Sequence, residues 1–297
     1  MRPARWRVLV AYAAIYLIWG STYLAIARAV ESIPPAVSMG VRSVIGGAIM
    51  LAIAFALRAR APSARELGAA AVVGTLFFAG NHGLLAYAQQ RVPTGVAALL
   101  IATIPFFVPL LTWAFGERRP PARVAIGIAV GLAGVAILVN GRDALGRAEP
   151  SDAAITLLAS FCWSLGTVLA MRLPRPASLL VMAGTQLVIG GAVLCAAAAL
   201  LGQFSAAVIA GMTTRSLLGV AYLLAFGTFG GFGAYVWLMR HEPAARIATY
   251  AFVNPMVAVL IGHLVDGEPV TAGLALAMTA IVGAVILIVS DRARRPA

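Results

Sequence analysis

The chain has 297 residues, of which 62% are hydrophobic and only 11% charged, so its composition excludes a soluble protein of one or two domains. Its apolar runs are about 20 residues long, enough for each to cross the ~30 Å hydrocarbon core of a bilayer as a helix. The net charge of +12 comes from arginines that lie mostly between these runs, which predicts contact with lipid headgroups and not with nucleic acid.

We therefore predict an all-α polytopic membrane protein with ten transmembrane helices. The spans are expected at about 8–28, 34–57, 66–90, 94–115, 121–140, 152–171, 177–201, 215–239, 244–265 and 270–290. The first run is longer than the apolar part of a signal peptide, so it is predicted to remain as a span. Because the loops are short, successive helices are expected to be antiparallel neighbours.

Span 1 carries an aromatic face. Tyr12, Tyr16, Trp19 and Tyr23 follow one another at helical spacing. We predict that Tyr16, Trp19 and Tyr23 line a substrate cavity. The alternative is that Tyr12 and Tyr23 belong to the aromatic belt at the membrane surface.

Spans 2 and 3 contain polar residues within the apolar core. Asn81 and His82 are predicted to face the cavity, or else to make hydrogen bonds between helices. His82 titrates near neutral pH as a free side chain, which makes it a candidate for proton coupling. Arg42 either reaches the membrane surface, bonds the end of a span or binds a substrate carboxylate.

Span 4 is interrupted by Pro105. A proline inside a helix removes a backbone donor and leaves a carbonyl free one turn earlier. We predict a hinge at Pro105, with Thr103 beside it as a cavity residue. The alternative is a static kink that serves packing.

The second half of the chain repeats the first. Pro93 precedes Pro105 by twelve residues, and Pro243 precedes Pro255 by twelve. A Gly-Glu pair then follows in each half, ending at Glu117 and Glu268, and a second glycine-rich apolar run comes next. We predict a second hinge at Pro255.

The equivalent of the aromatic face in span 6 consists of Thr156, Ser160, Trp163 and Thr167. We predict that Ser160, Trp163 and Thr167 line the cavity, as does Asn254 beside Pro255 in span 9. The alternative for the hydroxyl groups is a hydrogen bond to a carbonyl of their own helix.

The repeats are predicted at residues 1–148 and 149–297, each with five spans. An odd number of spans inverts the second repeat relative to the first, which is typical of alternating-access transporters with a substrate site near the midplane. Sixteen arginines lie in the segments assigned to the cytoplasm and five in the outer ones, so both termini are predicted to be cytoplasmic. In this topology Glu117 lies inside and Glu268 outside, as parts of two opposed gates.

The first half carries the motifs Ile18-Trp19-Gly20-Ser21-Thr22, Pro34-Pro35, Arg42, Asn81-His82-Gly83-Leu84-Leu85-Ala86-Tyr87-Ala88, Pro105 and Gly116-Glu117-Arg118, and the second half carries Trp163, Asn254-Pro255 and Gly267-Glu268. Together they resemble the drug/metabolite transporter superfamily, specifically its ten-helix EamA-type members, over nearly the whole chain. The resemblance implies secondary transport of small metabolites, often amino-acid export as in the YddG-like exporters. It also implies a central cavity lined mainly by spans 1, 3, 4, 6, 8 and 9.

We predict a secondary transporter in the bacterial inner membrane that exports small metabolites, above all amino acids with aromatic or apolar side chains. All ten acidic residues lie at span ends or in loops, so no carboxylate relay is expected at the midplane. The alternative within transporters is efflux of drugs or aromatic cations, which aromatic rings can bind. A channel would need a charged ring or a carbonyl filter, and neither is apparent.

An enzyme is not predicted, because no nucleophile with its base and no metal cluster is apparent. His241-Glu242 lacks the second histidine of a zinc-protease motif. We expect no cofactor or metal, and a small-molecule substrate and the lipid bilayer as the only partners. One chain has enough helices to close a cavity, so a monomer is compatible with the pattern.

Overall fold

The computed structural model describes residues 4–141, 146, 148–239, 241–242 and 244–293, and every regular element in this part of the chain is a helix. The ten main helices are α1 Arg5–Ala29, α2 Pro35–Ala56, α3 Ala64–Ala88, α4 Thr94–Ala114, α5 Ala122–Asn140, α6 Pro150–Arg172, α7 Leu179–Leu200, α8 Thr214–Leu238, α9 Tyr250–Asp266 and α10 Ala272–Ala293. Of these, α9 has 17 residues, and the other nine are long and apolar enough to cross a membrane. The predicted all-α polytopic class is confirmed over the described residues.

Two parts of the sequence argument lie outside the described residues. These are Pro243, used in the repeat alignment, and six of the arginines used for the topology: Arg2, Arg142, Arg147, Arg240, Arg294 and Arg295. Two short helices, Ala206–Ala210 and Ala244–Ile247, stand before α8 and α9.

The Gly-Glu pairs have a backbone explanation. Gly116 and Gly267 follow the ends of α4 and α9, and their φ angles are +92° and +65°. A glycine adopts this conformation without the steric penalty that a side chain would bring, so it stops a helix at low cost. The predicted helix ends at the two repeat-equivalent pairs are therefore observed.

The chain forms two compact units, and each combines residues from both sequence halves. The first unit comprises Met1–Ala25, Arg91–Leu157 and Ala225–Ala297, and the second comprises Ile26–Gln90 and Leu158–Leu224. In the first unit α5 packs against α10, and the first half of α4 packs against α9. In the second unit α7 packs against α2 and α3. Three pairs of helices at equivalent positions of the two halves, α2 with α7, α4 with α9 and α5 with α10, are thus packing partners.

The partners α2 and α7 run antiparallel. A Cβ built on Gly47 would lie 2.6 Å from the carbonyl oxygen of Gly184, and one built on Gly191 would lie 2.9 Å from that of Gly40. Along α2 the contact moves from 40 to 47 while along α7 it moves from 191 to 184. Small residues let the two backbones approach closely, as is usual between membrane helices. In the alignment of the two halves, Gly40 corresponds to Gly184 and Gly47 to Gly191. Each of the two contacts is therefore the repeat equivalent of the other.

The partners α5 and α10 are also antiparallel. A Cβ on Gly127 would lie 2.8 Å from Cγ1 of Ile288, and one on Gly134 would lie 2.9 Å from Cγ1 of Ile281.

Large apolar side chains on several helices are exposed, including Leu9, Leu218, Leu264 and Leu276. Such exposure is unfavourable in water, and in a bilayer these side chains face hydrocarbon.

Candidate functional site

An aromatic cluster surrounds Trp19 in the first unit. Its indole lies 5.4 Å from the ring centre of Tyr235 on α8 and 5.0 Å, edge to face, from that of Tyr250 on α9. One turn earlier, the hydroxyl group of Tyr16 shares a hydrogen bond with the hydroxyl group of Thr249. The predicted aromatic face of α1 is therefore in contact with α8 and α9 at Tyr16 and Trp19. Tyr23 is partly buried on the same helix.

Asn254 lies next to this cluster. Its side chain is 8% exposed, and the backbone of Asn254 is 3.3 Å from a Cβ placed on Gly20, the residue after Trp19. Among the described residues, the buried side-chain oxygen of Asn254 has no hydrogen-bond partner. A buried acceptor of this kind costs about 1–3 kcal/mol unless a ligand or water satisfies it.

A second aromatic cluster surrounds Trp163 in the second unit. Its indole stacks on Phe77 of α3 at 4.4 Å between ring centres and lies 5.8 Å from the ring of His82. Phe78 contacts His82 edge to face at 5.2 Å. Trp163 is the repeat equivalent of Trp19. Each of the two tryptophans packs on a helix of the other sequence half, Trp19 on α8 and Trp163 on α3.

His82 is joined to Arg42. A guanidinium group only donates, so Arg42 Nη2 donates to Nδ1 of His82 at 2.9 Å, and the histidine proton then lies on Nε2. Arg42 is 5% exposed, and its Nε has no hydrogen-bond partner in the part of the chain that the structure describes. No carboxylate within the described residues forms an ion pair with it.

The neighbouring Asn81 makes a hydrogen bond between helices. Its Nδ2 donates to the carbonyl oxygen of Ala159 on α6 at 2.8 Å, and its side chain is 4% exposed. This bond is the structural alternative considered for Asn81 from the sequence. A cavity role for its remaining oxygen stays a prediction.

Two of the hydroxyl groups predicted to line the cavity are bonded to carbonyls of their own helices. Thr167 donates to the carbonyl oxygen of Trp163 at 2.8 Å, and Thr103 donates to that of Leu100 at 2.6 Å. Ser160 is completely buried on α6. These contacts agree with the alternative in which such groups satisfy their own backbone, and the cavity role of the three residues stays a prediction.

The two prolines differ in their local structure. The helices Thr94–Ile101 and Ile104–Ala114 are separate, and Pro105 is in the first turn of the second one. Pro255 lies inside the continuous helix α9. The break in this span comes before α9, between the short helix that ends at Ile247 and the start of α9 at Tyr250. The two predicted hinge positions are therefore not equivalent in this conformation: only Pro105 directly follows a break.

The structure adds an element that periodicity did not predict. Residues Thr75–Gly83 of α3 and Leu223–Gly230 of α8 are π-helical, and the two segments end in the related sequences Gly80-Asn81-His82-Gly83 and Gly227-Thr228-Phe229-Gly230. Such π-helical turns are often found at functional sites. In α3 this turn includes Phe77, Asn81 and His82.

Sequence reasoning missed Phe77, Tyr235 and Tyr250 as site residues. A signal was available for two of them, because Phe77 lies four residues before Asn81 and Tyr250 lies four before Asn254. Residues four apart share a helical face. For Tyr235 the sequence offers no comparable signal.

Glu268 links α9 to the start of α4. Its carboxylate accepts from the backbone N–H of Thr94 at 2.6 Å and of Gly95 at 3.1 Å. These donors have no partner within the helix, and the positive end of the helix dipole stabilises the negative charge. A second carboxylate, that of Asp152 at the start of α6, accepts from Nη1 of Arg91 at 3.2 Å.

Comparison with known proteins agrees with this fold. The model of the EamA-like transporter family matches residues 6–140 and 152–290. The chain is 36% identical over 286 residues to "Uncharacterized inner membrane transporter YedA" of Escherichia coli (strain K12), covering 96% of this chain and 91% of that protein. It is 26% identical over 292 residues to "Probable amino-acid metabolite efflux pump" of Salmonella typhimurium, covering 95% of each.

A crystal structure of a protein with 21% sequence identity has the same fold, with a TM-score of 0.63 over 97% of this chain and 99% of that one. The family model covers both predicted repeats, and the relatives match nearly end to end. The chain therefore belongs to the EamA-like transporter family and is a membrane transporter of the drug/metabolite transporter superfamily.

Proposed function

We propose that the protein is a secondary transporter that exports amino acids, including aromatic and apolar ones, across the inner membrane by alternating access. The observation that carries this proposal is the antiparallel packing of α2 on its repeat equivalent α7, at Gly47 with Gly184 and at Gly40 with Gly191. Equivalent helices that run in opposite directions are the product of an inverted repeat, the usual architecture of alternating-access carriers. The repeats of this proposal are residues 1–148 and 149–297.

The proposed substrate class follows from the two tryptophan clusters. Trp19 with Tyr235 and Tyr250, and Trp163 with Phe77, offer ring surfaces that suit apolar and aromatic side chains. The name of the Salmonella relative refers to amino-acid metabolite efflux, which supports the same substrate class. The name of the Escherichia coli relative refers to the inner membrane, which supports that location.

The proposed transport does not use a carboxylate relay. The carboxylates of Glu66, Asp152 and Glu268 bond backbone or arginine groups at helix ends. His82 accepts a hydrogen bond from a guanidinium group, so protonation would place a second positive charge against Arg42. Exchange or facilitated transport driven by the substrate gradient fits these contacts better than proton coupling.

The proposed outer gate includes Glu268. In the topology with both termini in the cytoplasm, Glu268 and the start of α4 lie on the outer side, where the carboxylate holds α9 to α4. Its repeat equivalent Glu117 is assigned to the inner side. The two positions would alternate in holding their helices together.

Efflux of aromatic cations is the second candidate. The rings of Trp19, Tyr235 and Tyr250 lie 5.0 to 6.2 Å apart at angles of 41° to 83°, and exposed faces of aromatic rings attract cations. The buried positive charge of Arg42 disfavours cations in the second unit. We therefore place amino-acid export first.

Counterflow into proteoliposomes tests the proposal. The purified protein is reconstituted, loaded with unlabelled amino acids, and assayed for uptake of a labelled amino-acid panel with and without a pH gradient. Saturable exchange of apolar and aromatic amino acids that does not need the gradient is expected. Uptake of quaternary aromatic cations with no amino-acid exchange would favour the second candidate, and a unitary conductance would indicate a channel.

A further inference from the structure

Arg42 is a buried cation that has no counter-ion among the described residues. Its side chain is 5% exposed, and in this part of the chain its Nε has no hydrogen-bond partner while its Nη2 donates to His82. Burial of an unpaired charge costs several kcal/mol even after the surroundings relax. Within the described residues no ion pair offsets this cost.

The position of Arg42 excludes contact with the membrane surface as an explanation. It is the eighth residue of α2, about 10 Å along the helix from Pro35 at 1.5 Å per residue. A side chain that reached the headgroups would be exposed, whereas this guanidinium turns to His82 on α3. Arg42 is thus held at depth within the span.

The fold itself does not require a positive charge at this position. The repeat equivalent of Arg42 is Gln186 on α7, which is also buried, at 8% exposure. A neutral amide therefore occupies the matching place in the antiparallel partner helix. The charge belongs to one repeat only, which is the pattern expected of a ligand contact and not of a packing requirement.

The surroundings of Arg42 indicate the kind of anion. The guanidinium fork matches the two oxygens of a carboxylate. His82, to which it is bonded, lies 5.2 Å from the ring of Phe78 and 5.8 Å from that of Trp163. Phe78, His82 and Trp163 are partly exposed, so the accessible edge of the cluster is aromatic. An organic carboxylate with an apolar side chain fits this edge better than inorganic phosphate.

We propose that Arg42 binds the carboxylate of the transported substrate, with His82 as the positioning residue that orients the guanidinium group and the Phe77–Trp163 stack as the surface for the apolar side chain. This assignment rests on the proposed amino-acid export. It names carboxylate-bearing, apolar or aromatic amino acids as the substrate class.

The test compares L-phenylalanine with L-phenylalaninamide, which lacks the carboxylate, in counterflow by the wild-type protein and by Arg42→Gln. The wild-type protein should prefer phenylalanine by roughly tenfold or more, which corresponds to ~1.4 kcal/mol. Arg42→Gln should lose that preference while it still moves the amide. Arg42→Lys should retain part of the preference, since it keeps a charge but loses the fork.

Arg123→Gln is the matched control. Arg123 also lies in a helix, and its Nη2 donates to Ser290 at 3.2 Å while its Nε is buried without a partner. It should keep the preference of the wild-type protein. Equal loss of phenylalanine and amide transport in Arg42→Gln, or an unchanged preference, would overturn the assignment.

A binding arm separates this assignment from the proposed function. Thermal stabilisation in detergent is measured with phenylacetate, with phenethylamine and with phosphate. If the wild-type protein exchanges no amino acid, the proposed function fails. The Arg42 assignment then stands only if phenylacetate stabilises the wild-type protein and not Arg42→Gln. Equal stabilisation by phosphate would contradict an organic carboxylate site.

Discussion

The indole of Trp19 lies directly on Gly231, so close that Nε1 would overlap a Cβ placed there. Gly231 is the first residue after the π-helical segment of α8. Absence of a side chain at this one position therefore decides how near α1 and α8 come to each other. Trp19 then reaches Tyr235, one turn further along α8.

Gly231→Ala should move the Trp19 ring. Overpacking of this kind typically lowers the free energy of unfolding by about 1–3 kcal/mol. We therefore expect a lower melting temperature and a several-fold lower counterflow rate. Gly233→Ala is the matched control, because within the described residues no atom other than the local backbone of α8 lies within 4 Å of a Cβ at Gly233. The control should be neutral or slightly stabilised, since alanine favours a helix over glycine. Equal effects of the two alanines would contradict the role of the Trp19 contact.

The tryptophans form reciprocal contacts. Trp19 of the first half packs on α8 of the second, and Trp163 of the second half packs on Phe77 of α3 in the first. In both cases the partner helix contains a π-helical segment. The repeat is therefore expressed in tertiary contacts as well as in sequence.

Periodicity and composition predicted the helices well, because apolar length and the prolines and glycines at helix ends act locally. The aromatic face of α1 was found in the same way. The bond from Arg42 to His82 was not predicted, because it joins two helices whose relative register depends on packing. The π-helical turn at Asn81 also has no period that a helical pattern would reveal. Both features depend on tertiary contacts.

Asn81→Leu should destabilise the protein. The substitution removes the bond from Nδ2 to the carbonyl oxygen of Ala159, and bonds between membrane helices contribute about 0.6–1.7 kcal/mol. We expect a lower melting temperature in detergent, with transport reduced in proportion to the folded protein. An unchanged melting temperature would show that this bond does not hold α3 to α6.

Asn254→Leu should show the opposite pattern. Its side-chain oxygen is buried without a partner, so its removal should leave the melting temperature unchanged or slightly higher. Transport should nevertheless fall several-fold if this oxygen binds the substrate beside the Trp19 cluster. A melting temperature lowered as much as in Asn81→Leu would contradict this expectation. The two asparagine variants serve as controls for each other.

Glu268→Gln should weaken the contact between α9 and α4. The carboxylate accepts from two backbone N–H groups, and a neutral amide oxygen can replace it only in part, at a cost of about 1 kcal/mol. Glu31→Gln is the control, since Glu31 is exposed and pairs with the arginines Arg28 at 2.6 Å and Arg215 at 3.5 Å, where little stability is expected. The melting temperature should fall more for Glu268→Gln than for Glu31→Gln. Equal melting temperatures of the two variants would show that the bonds from the Glu268 carboxylate to the start of α4 do not stabilise the contact between α9 and α4.

Pro105→Ala tests the hinge. Alanine restores the backbone N–H that proline lacks, and this N–H can donate to a carbonyl one turn earlier, so the break between Ile101 and Ile104 should close and α4 should stiffen. We expect a several-fold lower counterflow rate, together with at most a modest rise in melting temperature, because Pro105 lies in the first turn of its helix, where proline is tolerated. Pro109→Ala is the matched control, since Pro109 lies within a continuous helix of the same span. If both variants stabilise equally and neither slows transport, the break at Pro105 is a static kink, and the alternation between the two sides must use another segment.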